Sequence, residues 1–313
     1  MNFYNITFSV NRSYLLFACV TLYSLLENNK HSFFNVYILH NNCLDNNEIS
    51  SLCKKHPLNN FTNFKIHLVD VSKSFDFSQF QELKHWSVDI YSKIFLPNLL
   101  PQVDKILHLD ADVLVLKDIS ELLNTNMHNV LYCGDNAVGI NSNGNTWFNA
   151  GVSLHNLKLA RELRVVDNLL EYIVKNNHTE ELAINLLYKE RIKFFPKSYI
   201  LTTHVVDNFK EDFNLIKIIH FVNPKPWLLD RSKTNLKIKS IKPYYPYLEK
   251  FMQSKYKLHF KILTLYAFTL APIISSYERR IIHLIEKVLK RKKSVVKSTL
   301  LTKMIYKYSI IGK

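Results

Sequence analysis

The chain has 313 residues, 47% of them apolar, enough for one large α/β domain or two small ones with a sizeable core, which excludes disorder throughout. Its net charge of +15 is concentrated at one end: residues 255–313 hold 14 Lys or Arg against two Glu, a net +12, and the other 254 residues carry only +3. This distribution excludes a nucleic-acid-binding core and describes a nearly neutral domain, residues 1–254, with a cationic appendage. Cys19, Cys43, Cys53 and Cys133 have no Cys-x-x-Cys spacing, so neither a zinc site nor a disulfide framework is expected. Met1 to Asn5 contains no basic segment leading into an apolar run, so a cytoplasmic location is expected.

In chain order, Ile6 to Val10 reads as a first strand, and Leu15, Cys19, Leu22 and Leu26 fall at helical spacing within Tyr14 to Asn28. The loop between them, Asn11-Arg12-Ser13, should lie at the carboxyl edge of a sheet, where ligands bind; an ordinary polar loop fits equally well. Val36 to Leu39 is a second strand. Asp45 and Glu48 then form a capping box for a helix ending near Lys55, and Phe64 to Val69 is a third strand. This alternation predicts a mainly parallel, doubly wound sheet. His56, His67 and His85 have no ligand-like spacing and are read as structural or surface residues. Val88 to Leu96 is a helix before Pro97, carrying Tyr91 and Lys93.

From Lys105 to Leu116 an apolar strand pattern runs into two carboxylates, Asp110 and Asp112, which strand alternation puts on one face. Two hard oxygen ligands at a strand end suit Mg2+ or Mn2+. A calcium loop is excluded, because Leu114 and Val115 stand where it needs a ligand and a glycine. A phosphatase with an Asp nucleophile stays open on the same residues. Next come a short helix over Ile119 to Leu123 and a strand over Val130 to Cys133, leading to Gly134 and Asp135. Four of the five glycines lie between 134 and 151, which marks a stretch where backbone turns sharply or approaches a ligand and makes Asn149-Ala150-Gly151 a site candidate. Leu157 to Lys175 reads as one helix, and Glu180-Glu181 opens another, where acidic residues also favour a helix N-terminus. Ile216 to Ile219 is a late strand delivering His220, with Lys225 and Trp227 close behind.

Three stretches, Leu109-Asp110-Ala111-Asp112, Trp147-Phe148-Asn149-Ala150-Gly151-Val152 and Ile219-His220-Phe221-Val222-Asn223-Pro224-Lys225-Pro226-Trp227, resemble in order and spacing the signature of glycosyltransferase family 8 across roughly residues 4 to 230. The resemblance implies a retaining enzyme of GT-A fold, with a Rossmann-like nucleotide-binding part, that moves a hexose such as galactose or glucose from a UDP-sugar to a saccharide acceptor. It implies Asp110, Asp112 and His220 on a Mn2+ or Mg2+ ion and Lys225 on the donor diphosphate. Phe8, Asn11, Lys93, Ala111, Asn149, Ala150 and Gly151 complete the implied donor set, with Asp135 and Glu181 beside the reacting sugar. The chain departs from the family at several positions. Asn11 and Arg12 replace acidic residues that help hold the base, Lys93 replaces an Arg, and Glu181 replaces a Gln. Glu181 opens two routes to retention, same-face attack or a covalent intermediate on its carboxylate.

Beyond Tyr244 the chain changes character. Ile262 to Ser275 is almost wholly apolar but, at fourteen residues with Pro272 inside, too short for the ~20 that span a bilayer. Set beside the basic residues that follow, it predicts peripheral attachment to an anionic membrane surface on the cytoplasmic side, near a glycolipid acceptor such as lipopolysaccharide. A non-catalytic membrane-surface protein and a metal-dependent phosphohydrolase centred on Asp110 are the alternatives. No nucleic-acid partner is expected.

Overall fold

The computed structural model describes residues 2–55, 57–74, 88–136, 146–204, 211–223, 225–227, 240–251 and 257. His56, His85, Gly139, Gly144, Pro224 and the basic tail, with its expected boundary after residue 254, lie outside the described residues.

The fold is α/β around a seven-stranded sheet. Its strands are β1 (Asn2–Ser9), β2 (Ser32–His40), β3 (Phe64–Asp70), β4 (Lys105–Leu109), β6 (Tyr132–Asn136), β7 (Phe148–Asn156) and β8 (Ile192–Phe194). The spatial order is β3-β2-β1-β4-β7-β6-β8, and only β7 runs against its neighbours, so the sheet is mostly parallel as the strand-helix alternation predicts. A second sheet of three short strands, β5 (Val113–Val115), β9 (Ile200–Thr202) and β10 (Ile218–His220), has β10 in the middle, antiparallel to β5.

Helices cover both faces, as a parallel sheet buried on two sides requires. On one face lies α1 (Leu15–Asn28), with the helix Tyr244–Lys250 behind it. All twelve residues from Leu15 to Leu26 are buried, so α1 is a core helix rather than the one-sided helix its apolar spacing suggests. Thr21 and Ser24, within this buried stretch, find partners in β5 and the turn before it. Thr21 Oγ1 lies 2.7 Å from the Val113 carbonyl and 3.1 Å from that of Ala111, and the Val115 N–H donates to Ser24 Oγ at 3.0 Å. The turn that carries Asp110 and Asp112 is thereby tied to the helix. The expected capping box starts α2 (Asn46–Lys55), the Glu48 N–H donating to Asp45 Oδ1 at 2.8 Å.

The other face is covered by a 3-10 helix, Val88–Phe95, that runs directly into α3 (Leu96–Leu99), so Pro97 sits in a first helical turn instead of ending one. α4 (Leu157–Glu162), α5 (Val165–Asn176) and α6 (Glu180–Leu187) complete this face. The single helix expected over Leu157 to Lys175 is two helices, broken where Arg164 takes a left-handed backbone with φ 52°. None of the four cysteines is in a disulfide. His67 stacks on Tyr37, with centroids 4.9 Å apart. No helix among the described residues is long and apolar enough to cross a membrane.

Candidate active site

Strand β4 ends at Leu109, so Asp110 and Asp112 do not project from a strand as alternation suggested. They sit in the tight turn between β4 and β5. Two backbone bonds orient that turn: the Asp110 N–H donates to Gly151 O on β7, and the Phe221 N–H, just past β10, donates to Asp112 O, each at 2.8 Å. The antiparallel pairing of His220 with Val113 completes the convergence. His220 Nε2 lies 3.8 Å from Asp110 Oδ2 and 3.6 Å from Asp112 Oδ1, and ligand atoms of the three residues lie within 4.8 Å of one another. Two atoms bound at about 2.1 Å to a common ion stand at most ~4.2 Å apart, and both His220 distances fall inside that limit, so two carboxylates and an imidazole nitrogen converge as ligands of a divalent cation do. Among the described residues this is the one such cluster.

The charges are mutually dependent. Burial alone would raise Asp112, but Lys225, paired with Asp112 Oδ2, and His220 hold its carboxyl below the usual range. Asp110 is also held low, because Lys93, His108 and His220 outweigh burial. The same geometry raises His220 above an ordinary histidine, the two carboxylates outweighing its burial. Nε2 ligates an ion only in the neutral form of the ring. Lys225 is raised as well, Asp112 offsetting its burial. Lys225 is moored through Trp227, which stacks on Phe17 of α1 at 3.7 Å between centroids and 8° between planes.

Gly151 shows why the glycine-rich stretch ends here. A Cβ on it would stand 2.3 Å from His220 Cε1 and 2.6 Å from Asp110 Oδ2, so only glycine lets β7 pass this close to both. Asn149 and Ala150 precede it on the same strand. Asn149 Oδ1 accepts from the Gly151 N–H at 3.0 Å, and Ala150 is buried. Asp135 on β6 pairs with Asn149 at a register shift, is buried, and accepts a hydrogen bond from Thr202; burial raises its carboxyl despite that bond.

Glu181 is tied to the same strand. Its Oε1 accepts from Trp147 Nε1 at 2.8 Å and its Oε2 from the Ala150 N–H at 3.0 Å, while Asn185 brackets Phe148 with bonds of 2.9 Å to its N–H and carbonyl. Burial raises Glu181 although both bonds oppose the shift. These bonds join residues more than thirty positions apart, and nothing in the local pattern announces them. Lys93 is not a solvated lysine: it is 5% exposed and pairs with Glu180 at 3.1 Å, with Asp110 adding to its field. Glu180, read only as part of a helix start, is thus a member of the site's buried network. His108 was also missed, although its place two residues before Asp110 on β4 was a signal: its Nε2 lies 2.9 Å from Asp110 Oδ1. Burial and Lys93 hold His108 below the usual histidine range.

The remaining candidates are more distant from this chemistry. Phe8 is 1% exposed and its side chain packs into the α1 core, leaving only its backbone to face a ligand. Asn11 Oδ1 accepts from the N–H groups of Ser13 and Tyr14 and so shapes the loop that starts α1. Arg12 is bonded to Glu48 and the Cys43 carbonyl. Ala111 is buried, with its carbonyl facing Thr21.

Comparison with known proteins agrees with this geometry. The chain is 24% identical over 251 residues to the lipopolysaccharide 1,2-glucosyltransferase of Escherichia coli K12, a match spanning 71% of this chain and 72% of that protein. A second Escherichia coli lipopolysaccharide 1,2-glucosyltransferase matches at 24% over 230 residues, 66% of this chain and 65% of the other. In three dimensions the chain resembles the galactosyltransferase LgtC, solved with donor and acceptor sugar analogues, at a TM-score of 0.62 and 18% identity, covering 78% of this chain and 94% of LgtC. The glycosyltransferase GlyE of Streptococcus pneumoniae superposes at 0.61 and 18%, covering 83% of this chain and 63% of GlyE. At such identities these two likenesses establish the fold, the GT-A arrangement. The model for glycosyl transferase family 8 matches residues 5–231, which takes in every site residue named above, and the chain belongs to that family.

Proposed function

We propose that this glycosyltransferase moves a hexose, galactose or glucose, from a UDP-sugar to a saccharide acceptor of the lipopolysaccharide type, with retention at the anomeric carbon and with Mn2+ or Mg2+ bound. The observation that carries the reading is the convergence of Asp110, Asp112, His220 and Lys225 at one corner of the sheet. Cleaving the bond to a nucleoside diphosphate leaves negative charge on phosphate. Asp110, Asp112 and His220 would hold an ion, which when bound would supply Lewis-acid stabilisation of that charge. Lys225 Nζ, paired with Asp112 and a quarter exposed, adds a second positive group for the diphosphate. Lys93 holds Asp110 ionised from the buried side. On the sugar side, Asn149 offers its amide and Asp135 a carboxylate that burial keeps basic. The hydrogen bonds from Trp147 Nε1 and the Ala150 N–H fix the Glu181 carboxylate against β7.

A panel of UDP-sugars tests the proposal. Release of UDP from UDP-galactose or UDP-glucose is expected with Mn2+ and none with chelator. Absence of UDP release from every UDP-hexose would sink the reading, and phosphate release from a simple monoester would replace it with the phosphohydrolase. The charge of residues 255–313 supports a further part of the proposal, attachment to an anionic membrane surface. The full chain is expected to cosediment with vesicles containing anionic lipid and to come off as salt approaches 1 M, where the screening length shrinks to ~3 Å. Equal binding to uncharged vesicles would remove this part.

A further inference from the structure

The two carboxylates of the ion site divide their oxygens in the same way. Asp112 gives Oδ2 to Lys225 and turns Oδ1 toward His220 Nε2. Asp110 gives Oδ1 to His108 and turns Oδ2 toward the same nitrogen. Lys225 belongs to the diphosphate-binding set, but His108 cannot: it is fully buried inside β4, and Asp110 is its hydrogen-bond partner. Asp110 itself is 39% exposed, so one end of this bond is locked in the core and the other faces the site.

We propose that His108 is a positioning residue for the ion: by donating from Nε2 to Asp110 Oδ1 it commits that oxygen and leaves Oδ2 as the single ligand atom that Asp110 offers. An ionised carboxylate only accepts, so the proton of this bond resides on Nε2. Without the bond, Asp110 is free to rotate about its last side-chain torsion and to present either oxygen or both. With it, Oδ2 is held against Gly151 and opposite His220. The β4 backbone is held on both sides, His108 pairing with Thr7 on β1 and with Ser153 on β7, and the imidazole is fully buried, with its ring 6.2 Å from that of His155. Partners of this kind orient metal ligands, and their loss weakens metal affinity by roughly 10–100-fold.

The inference rests on the ion site proposed above, and Mn2+ binding to donor-free protein separates the two. The readout is free Mn2+ by electron paramagnetic resonance, with cooperative melting checked for each variant. His108→Leu, similar in volume but without a donor, is expected to bind Mn2+ roughly 10–100-fold more weakly. His108→Gln, which places an amide N–H near the position of Nε2, is expected to recover most of that loss. Wild-type protein that binds no Mn2+ would remove the site itself. Wild-type affinity in His108→Leu, or equal loss in the Leu and Gln variants, would overturn the role of His108 alone. Should the Leu variant not fold, the tautomer decides: a long-range 1H–15N spectrum of the wild-type chain is expected to show His108 protonated at Nε2, and protonation at Nδ1 overturns the inference.

Discussion

Replacing Asp112 by Asn is expected to lower sugar transfer by at least about a hundredfold, by analogy with removing one preorganised electrostatic group from a developing oxyanion. The carboxylate does two things at once. Its Oδ1 faces His220 and its Oδ2 pairs with Lys225, so the neutral amide removes a proposed ion ligand and the counter-charge that holds the lysine in place. The side chain is almost fully buried and close in shape to Asn, and cooperative melting of the variant, measured beside its rate, separates lost chemistry from lost stability. UDP release with Mn2+ measures the effect, and a chelator is expected to abolish turnover of the wild type. A variant as active as wild type would dismiss the ion and diphosphate assignments together.

Replacing Lys93 by Met is expected to destabilise the protein by about 3–5 kcal/mol, the usual consequence of stranding one partner of a buried ion pair. Lys93 and Glu180 are 5% and 6% exposed at their side chains; Glu180 Oε1 faces the ammonium and Oε2 has no hydrogen bond. Removal of the ammonium therefore leaves a buried carboxylate without compensation. At roughly 2–4 °C per kcal/mol for a domain of this size, the melting temperature should fall by about 6 °C or more. Adding Glu180→Gln is expected to return much of the loss, because the charge left behind is then gone. Burial lowers Lys93, but Glu180 and Asp110 outweigh it and raise the group above its ordinary value. Its contribution is consequently complete at neutral pH and lost only as pH rises beyond the usual lysine range. Melting within 2 °C of wild type, as measured by calorimetry, would show that the pair is not a structural tie.

Strand and helix order was legible because apolar runs and turn residues are local, and the motif stretches carried the family. What local pattern could not carry was tertiary. Strand alternation brought Asp110 and Asp112 onto one face by the wrong route. The turn itself aims them, through backbone bonds to residues 151 and 221 that no spacing reveals. The apolar spacing in α1 was real but incomplete, since Thr21 and Ser24 are as buried as their neighbours once β5 supplies their partners. Arg164 gave no sign of a helix break, because a left-handed residue other than glycine is imposed by its surroundings. Lys93 and Glu181 looked like surface or catalytic charges, and both are held by partners far away in the chain.

The division into two sheets has a consequence for how this protein can vary. Every strand of the large sheet lies between Asn2 and Phe194, so that sheet is complete before the chain reaches β9. His220 and Lys225, the residues proposed as third ion ligand and diphosphate lysine, arrive afterwards, on β10 and the segment just past it. They are fastened to the turn of Asp110 and Asp112 by a pairing only three residues long. The scaffold and half of the chemistry thus belong to separable lengths of one polypeptide. Substitutions after Phe194 can retune how tightly ion and diphosphate are gripped while the seven strands beneath keep their register.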